Sequence, residues 1–566
     1  MNERSREALL TEFGSLFSSM NEEARLAFVV DMWLTLGASR DHLKERLAGL
    51  LANQFGRSSE KASDAQLVLF AKVMEVVTAM AADPAPDADG ADTDAFAQAA
   101  AILEQTDEDV RNRKEELRAQ RKADREARRE AKKLEEASAD GATPPWPTHL
   151  PVREHTLPVG DAHRDCDDCG EERAVIRYET SWCIEYSTTA EVVVTHRPVV
   201  ACRSHHGGPV TEPVPPKPVD GGQLGFSVAS RLLWLRVTHN LPVARIAEMM
   251  RAERVPVSET MIHRLIEVTG ERLVPLVEAI QHQVQQAVLV NLDDTPVDVY
   301  EDTGERRRTR RRARVWLALG DERFAYFFST RTWKADEAER ALGPITGVMQ
   351  GDGYKGFEAY ATRHDVTLAG CMAHLRRKFQ RALQAHDPRA ELPMALIQGL
   401  YRVEELARLR DLDAEGRLAL RRERSEPLFL ALVKWATEIE QERIEVGSPL
   451  GKAWTYLSNQ LLPLQAFLTD GHVSIDNNAA ERGLRRITIG RKLWLFFRGQ
   501  AKLEHVSRLM SLAYTARLHG VDELAYIQWV LKELARREWS SDAAVALLPD
   551  AWMARQEQET EEVDAA

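Results

Sequence analysis

Along the chain, apolar residues recur first at helical and later at strand spacing. Leu9, Phe13, Leu16 and Phe17 fall at i, i+4, i+7 and i+8, and Leu26, Val30 and Trp33 continue the pattern, so residues 1–80 are predicted to be a helical region. DPAPDADGADTD (Asp83–Asp94) has almost nothing to bury and reads as an acidic linker. A charged helix follows it, and linker and helix together span 81–150. Arg111–Lys133 holds eleven Lys or Arg and five Asp or Glu among strong helix formers, a solvated helix or an arm that contacts DNA or another copy. TPPWPTHLP (Thr143–Pro151) breaks helix again. A small segment at 151–215 precedes a helical region at 220–280, in which Ala244–Met250 and a second helix, opened by Ser258 as its cap and ending near Val268, form a helix-turn-helix pattern.

From Ala287 the spacing shortens. AVLVNL predicts a strand ending at Asp293; after a turn DTP, Val297 and Val299 alternate with acids as a half-buried strand would, and ARVWLALG and RFAYFFST extend a meander. A helix from about Trp333, a fourth strand ending near Asp352, a helix from Lys355 to Thr362 and a fifth short strand, DVTLAG, complete an alternation over 285–381. Three strands in meander followed by alternating strand and helix is the element order of a ribonuclease-H-like domain. Residues 382–470 are helical, with Leu428, Leu432, Trp435 and Ile439 along one face, and read as an insertion. Residues 471–505 return to the domain with a helix bearing Glu481, 506–545 form a helical tail, and 546–566 a disordered end.

Composition changes this picture in three places. The formal charge of −13 excludes a uniformly basic coat, but arginine is concentrated in patches. No apolar run reaches the roughly 20 residues of a bilayer span, and MNERSREALL carries no signal-peptide core, which predicts a cytoplasmic protein without membrane contact. Among five cysteines, Cys166 and Cys169 (CDDC) with Cys202 and His205 (CRSH) make two knuckles separated by 32 residues, the spacing of one structural Zn2+ site. His206 competes with His205, a redox pair at Cys166 and Cys169 or a metal-free remnant are the alternatives, and Cys183 reads as a core residue.

The acids carry the chemistry. Asp293 follows the first strand and Asp352 the fourth, which are neighbours in such a sheet, so both carboxylates are expected in one crevice; Glu481, 129 positions after Asp352, would complete the set from a helix capped by Asp476 or Asn477. Two divalent cations about 4 Å apart cleave phosphodiesters, and hard cations take carboxylate ligands. Taken singly, each acid is as well explained by a turn or, for Glu481 with Arg485, by an i, i+4 pair. Asp294 competes with Asp293.

VNLDDTPVDV, VMQGDGYKGFEAY, GCMAHLRRKF and SIDNNAAERGLRRITIGRKLWLFF, in this order, resemble the signature blocks of bacterial insertion-sequence transposases of the insertion-sequence-sixty-six family, large-subunit type. LANQFGRSSEKASDAQLVLF and LMSLAYTARLHGVDELAYIQWVLKEL are similar to its outer blocks. The chain departs from the family at Asp294, where a glutamate is usual, at Leu493, where an asparagine is usual, and at the step Gly499–Gln500. The resemblance implies an α/β ribonuclease-H-like catalytic domain with an all-α insertion, plus the N-terminal helical region, a small zinc-ribbon-like segment and the helix-turn-helix. It implies DDE chemistry with Asp293, Asp352 and Glu481 as catalytic residues and ligands of two Mg2+ ions. DNA, as transposon ends and target, is the implied partner, with small accessory proteins of the same element and a homo-oligomer that holds two ends. A ribonuclease-H-like nuclease without strand transfer, and a catalytically inactive transposase-derived DNA-binding protein, are the competing readings.

Further residues are drawn in around this set. Cys371 and His374 form a Cys-x-x-His pair after the fifth strand, either a buried core pair or, for His374, a group beside the scissile phosphate. Arg376, Arg377 and Lys378 follow on a helix, where at most two can face one strand of DNA. ERRRTRRRAR (Glu305–Arg314) places seven arginines, among them Arg306, Arg307, Arg308, Arg310, Arg311 and Arg312, in a predicted turn, where such density calls for phosphates or carboxylates to compensate it. Arg482, Arg485, Arg486, Arg491 and Lys492 surround Glu481, with Trp494, Phe496 and Phe497 as stacking or, more simply, core residues. His263 and Arg264 are the expected contacts of the second helix of the helix-turn-helix.

Overall fold

The computed structural model describes residues 93–138, 190, 192–194, 199–200, 210–211, 213–302, 308–440, 444–445 and 447–564. The predicted helical region 1–80, the knuckles with Cys166, Cys169, Cys202 and His205, and also Cys183, His206, Arg306 and Arg307 lie outside them. Two compact units are formed, one from the described parts of Met1–Val110, Lys217–Pro242 and Arg264–Ala566, the other from those of Arg111–Pro216 and Val243–His263.

The second unit holds the outer part of helix α1 (Thr93–Ser138), an antiparallel pair of two-residue strands, Val199–Val200 and Val210–Thr211, helix α2 (Val243–Ala252) and the start of α3 (Glu259–Arg272). Ser258 caps α3 as its sequence predicts, its Oγ accepting from the Met261 amide at 3.3 Å. The helix runs on to Arg272, four residues past the expected end.

The larger unit is built on a mixed sheet of β1 (Leu289–Asp302), β2 (Arg308–Gly320), β3 (Phe324–Thr330), β4 (Val348–Gln350), β5 (Leu368–Ala369) and β6 (Phe496–Arg498). The order is β3-β2-β1-β4-β5, with β1 to β3 antiparallel, β4 and β5 parallel to β1, and β6 also pairing with β1. This sheet, with its helices, is compatible with a ribonuclease-H-like domain. Trp316, Leu317 and Phe327 are buried at its centre. The edge strand β3 is closed by helix α4 (Gln500–Leu518): Ser511 Oγ accepts from the Phe327 amide at 2.8 Å and Thr515 Oγ1 from the Ala325 amide at 3.1 Å. Four residues of helix and two of strand advance by nearly the same length, about 6 Å, so one helix face can satisfy alternate amides of an edge.

Between the fifth strand and the last lie α5 (Met372–Gln384), α6 (Glu391–Leu409), α7 (Ala414–Leu420), α8 (Glu426–Glu440) and α9 (Pro449–Asn459). Leu428, Leu432, Trp435 and Ile439 are buried in their common core, on the face their spacing predicts. That core also takes Ala99, Leu103 and Val110 from the start of α1, where Arg402 pairs with Asp107 at 3.2 Å and Arg424 with Asp109 at 2.8 Å. Thus residues 93–110, within the span 81–150 expected to be acidic linker and charged helix, pack with the insertion. The expected disordered end at 546–566 is largely helix α10 (Pro549–Asp564), opened by a proline at the first helical position, where no amide is needed, and fixed by Asp550 to Arg323 at 3.0 Å and to His519 at 2.8 Å.

Candidate active site

The predicted turn after Asp293 does not form. β1 continues through it, and its two edges differ: Val290–Asp302 pair with β2 on one side, while on the other Leu289–Asn291 pair with β4 and Asp298–Tyr300 with β6. Among the described residues, no strand pairs with 292–297 on that second side. Pro296 falls in this interval, where a missing N–H costs no ladder bond. Helix α11 (Asn478–Trp494) covers the gap: Asn477 Nδ2 donates to the Leu292 carbonyl at 2.9 Å, and Arg491 Nη1 to Thr295 Oγ1 at 2.9 Å and the Pro296 carbonyl at 3.1 Å. Gly483 permits this approach, since a Cβ there would stand 2.3 Å from Leu317 Cδ2.

Asp293 and Asp352 lie at this gap, and Asp293 feels the charges of Asp352 and Glu481. Among the described residues, however, the three acids do not form a group with donor atoms within 4.8 Å of one another. Asn291 pairs with Gln350 in the parallel β1–β4 ladder, so Asp293 and Asp352, each two residues further on, are level with each other as the ladder ends. Neither has an ion-pair partner among the described residues. Burial pushes the Asp293 carboxyl up to about 7, with the charges of Asp352, Asp294 and Glu481 adding to it and the Asp294 amide, donated at 2.8 Å, opposing it. Asp294 is committed elsewhere: Arg314 Nη1 donates to its Oδ2 at 2.8 Å, and the same guanidinium stacks 4.7 Å from the Trp333 ring centre. The competition between the two neighbours for the first position thus favours Asp293. Half-buried carboxylates without counter-ions among the described residues, Asp293 being forced toward neutrality, fit a hard divalent cation such as Mg2+.

Glu481 is bound differently from the i, i+4 pair its sequence suggests. Arg377 Nη2 donates to Glu481 Oε1 at 2.5 Å, and Arg377 Nη1 stands 3.3 Å from His374 Nε2. Among the described residues, the closest group of three potential metal donors is Cys371, His374 and Glu481, with one ligand atom from each within 4.8 Å of the others. Burial drives the Cys371 thiol up to about 12, and its Sγ accepts from the Asn477 amide at 3.2 Å. Burial and then Arg377 lower the His374 pKa, with Glu481 and Asp352 opposing them. Asp476, not Asn477, supplies the side-chain cap: its Oδ1 accepts from the Asn478 amide at 3.0 Å, and its Oδ2 from Tyr401 Oη at 2.8 Å.

A buried polar network, missed from sequence, ties the three acid-bearing elements together. Gln350 Oε1 accepts from Asn291 Nδ2 at 2.7 Å and Ser474 Oγ at 2.6 Å, while its Nε2 donates to the carbonyls of Gly370 at 3.0 Å and Ser474 at 2.6 Å. Every polar valence of one amide is thereby used two residues before Asp293, two before Asp352 and seven before Glu481. A glutamine in an otherwise apolar short strand, directly before Gly351 and Asp352, was the available signal. Arg421 extends the support: it is fully buried, bidentate to Glu404 at 2.7 and 2.8 Å, and donates to the carbonyls of Phe467, Asp470 and Val473 in the loop that enters this site.

The arginine-rich segment is strand, not turn, from Arg308 onward. Carboxylates of β1 compensate it: Asp298 accepts from Arg310 at 2.8 Å and Glu301 from Arg311. Arg312 is exposed, as are Arg485, Lys492, His263 and Arg264, with Arg264 paired to Glu267 at 3.2 Å. Arg482 reaches Glu322 at 3.7 Å. Arg486 leaves the DNA-contact set, because it is buried against Glu523 at 3.0 Å and Tyr514. Arg376 lies over the Tyr401 ring and Lys378 over that of Tyr456, near Asp352. Phe497 is core, Trp494 packs edge-on against it, and Phe496 is 38% exposed.

A sequence profile of the Transposase IS66 family matches residues 221–504, the span from the second structural unit's helices through the whole carboxylate site. The chain belongs to the Transposase IS66 family. Relatives in Sinorhizobium fredii (strain NBRC 101917 / NGR234) include Uncharacterized protein y4hP, 26% identical over 417 residues that cover 69% of this chain and 74% of the relative. Uncharacterized protein y4jD is 28% identical over 432 residues, 72% of this chain and 82% of the relative, and Uncharacterized protein y4qI is 27% identical over 376 residues, 63% and 68%. Membership of a transposase family implies transposition as the general activity and DNA as a partner. No helix among the described residues is long and apolar enough to cross a membrane.

Proposed function

We propose that this member of the Transposase IS66 family is a DDE-type DNA transposase that binds transposon ends, cleaves a DNA strand and joins the freed 3′-hydroxyl to target DNA. Support comes above all from the parallel pairing of Asn291 with Gln350, which brings Asp293 and Asp352 to the same end of neighbouring strands, with Glu481 on the helix that spans the same gap. The three acids would hold Mg2+, which when bound activates the attacking oxygen and neutralises the leaving one.

Asp293 and Asp352 lie just past the end of the ladder, and the partial burial of Asp293 limits its screening by bulk water. The Gln350 network holds their two strands and the segment before Glu481 in one register, so the oxygens are in place before DNA arrives. Lys378, whose pKa burial and Arg381 lower while Asp352 opposes them, adds a cation near Asp352 that can meet a phosphate. Arg312, Arg485 and Lys492 are exposed and suit contacts to the DNA backbone. A structural Zn2+ on Cys166, Cys169, Cys202 and His205, DNA contact through α3, and a dimer or larger assembly that pairs two ends complete the reading.

Asp352→Asn is expected to abolish strand cleavage and strand transfer on labelled end DNA while leaving end binding within about threefold of wild type. Cleavage that persists in this variant would remove Asp352, and with it the proposed triad.

A further inference from the structure

Glu481 has to serve a cation if the proposed reading holds, yet its Oε1 already pairs with one: the Arg377 guanidinium at 2.5 Å. We propose that Arg377 is a positioning residue that occupies Glu481 until a DNA phosphate takes the guanidinium away, so that DNA binding and metal binding at Glu481 are coupled. The inference rests on the carboxylate reading above and adds its regulation.

Three observations carry it. The Arg377 side chain is 46% exposed, and Glu481 is 30% exposed, so the pair lies at the surface where a phosphate can reach it, unlike the enclosed pair of Arg421 and Glu404. Arg377 lies between Arg376 and Lys378, which lie over the Tyr401 and Tyr456 rings, on the helix that is opened by Cys371 and carries His374. A backbone phosphate drawn to this triplet offers the guanidinium a bidentate partner that competes with a single Glu481 oxygen. The second Arg377 contact, 3.3 Å from His374 Nε2, is a single longer hydrogen bond and restrains departure less than the pair with Glu481. The Asp293 and Asp352 carboxylates have no such occupant among the described residues, so the device acts on Glu481 alone.

Mn2+ binding to the purified full chain tests this, by titration with and without a mixed-sequence DNA duplex, with Asp352→Asn as the baseline for Mn2+ held by DNA or elsewhere. Wild type is expected to bind Mn2+ more tightly once DNA is present. Arg377→Gln is expected to bind it about fivefold more tightly than wild type without DNA, the size set by one part-exposed ion pair, and to gain nothing from DNA. Arg377→Lys should restore the wild-type pattern. Equal or weaker binding by Arg377→Gln overturns the coupling while leaving the triad intact. Mn2+ affinity that is the same in Asp352→Asn as in wild type overturns the triad itself, and the coupling with it.

Discussion

The two ends of the β1–β2 ribbon treat negative charge in opposite ways. Toward the outer end, Asp298 and Glu301 are matched by Arg310 and Arg311, and Asp294 by Arg314. One residue before Asp294, and therefore on the other face of the strand, Asp293 has Asp352 and Glu481 as its charged neighbours. The same residue type on the same strand is compensated in one place and left in mutual repulsion in the other. Matched acids hold the ribbon together; unmatched acids lower stability and are kept where a cation can relieve them, the pattern expected where function is bought with stability.

Three experiments break or sharpen this contrast. The largest effect on stability is expected from Asp293→Asn. The native carboxyl, raised to about 7 from 3.8, holds a proton that the unfolded chain releases near 3.8. The native state therefore binds more protons between these values, stability falls as pH rises through that window, and it stays low above about 7. In metal-free buffer at pH 8 the variant should be more stable than wild type by on the order of 2 kcal/mol, and the gain should vanish near pH 4. Thermal denaturation at both values checks it, and a variant less stable at pH 8 would contradict the repulsion.

Arg314→Leu should act in the reverse direction, since it leaves Asp294 part-buried without its partner: a loss of about 1–2 kcal/mol at pH 8, read by urea denaturation. Arg312→Ala is expected to change least. Its melting temperature should match wild type, while the slope of log affinity for DNA against log salt drops by about one. An unchanged slope would remove Arg312 from the DNA face.

Much of the sheet could be read from sequence because alternation and helical spacing are local. The meander, the helices around Asp352 and the buried face of Leu428, Leu432, Trp435 and Ile439 follow from neighbours within a few turns. The placement of the site did not. β1 runs through Asp293-Asp294-Thr295-Pro296 because β6, almost two hundred residues later, takes up its outer end, and no local pattern announces such a partner. Turn residues inside a strand are tolerated there by pairing on one edge and helix contacts on the other. The Gln350–Ser474 contacts and the Arg377–Glu481 pair likewise join residues 124 and 104 positions apart, so the role of each side chain depends on a fold that composition alone cannot specify. The start of α1 was misread for a related reason: its alanines and Asp107 look solvated until the insertion supplies apolar faces and Arg402.

Anomalous diffraction from crystals soaked in Mn2+ puts the central claim to its most direct test. A peak flanked by the carboxylates of Asp293 and Asp352, and absent from Asp352→Asn crystals, is the expected result. Density confined to Cys371, His374 and Glu481, or none near Asp293, would contradict it.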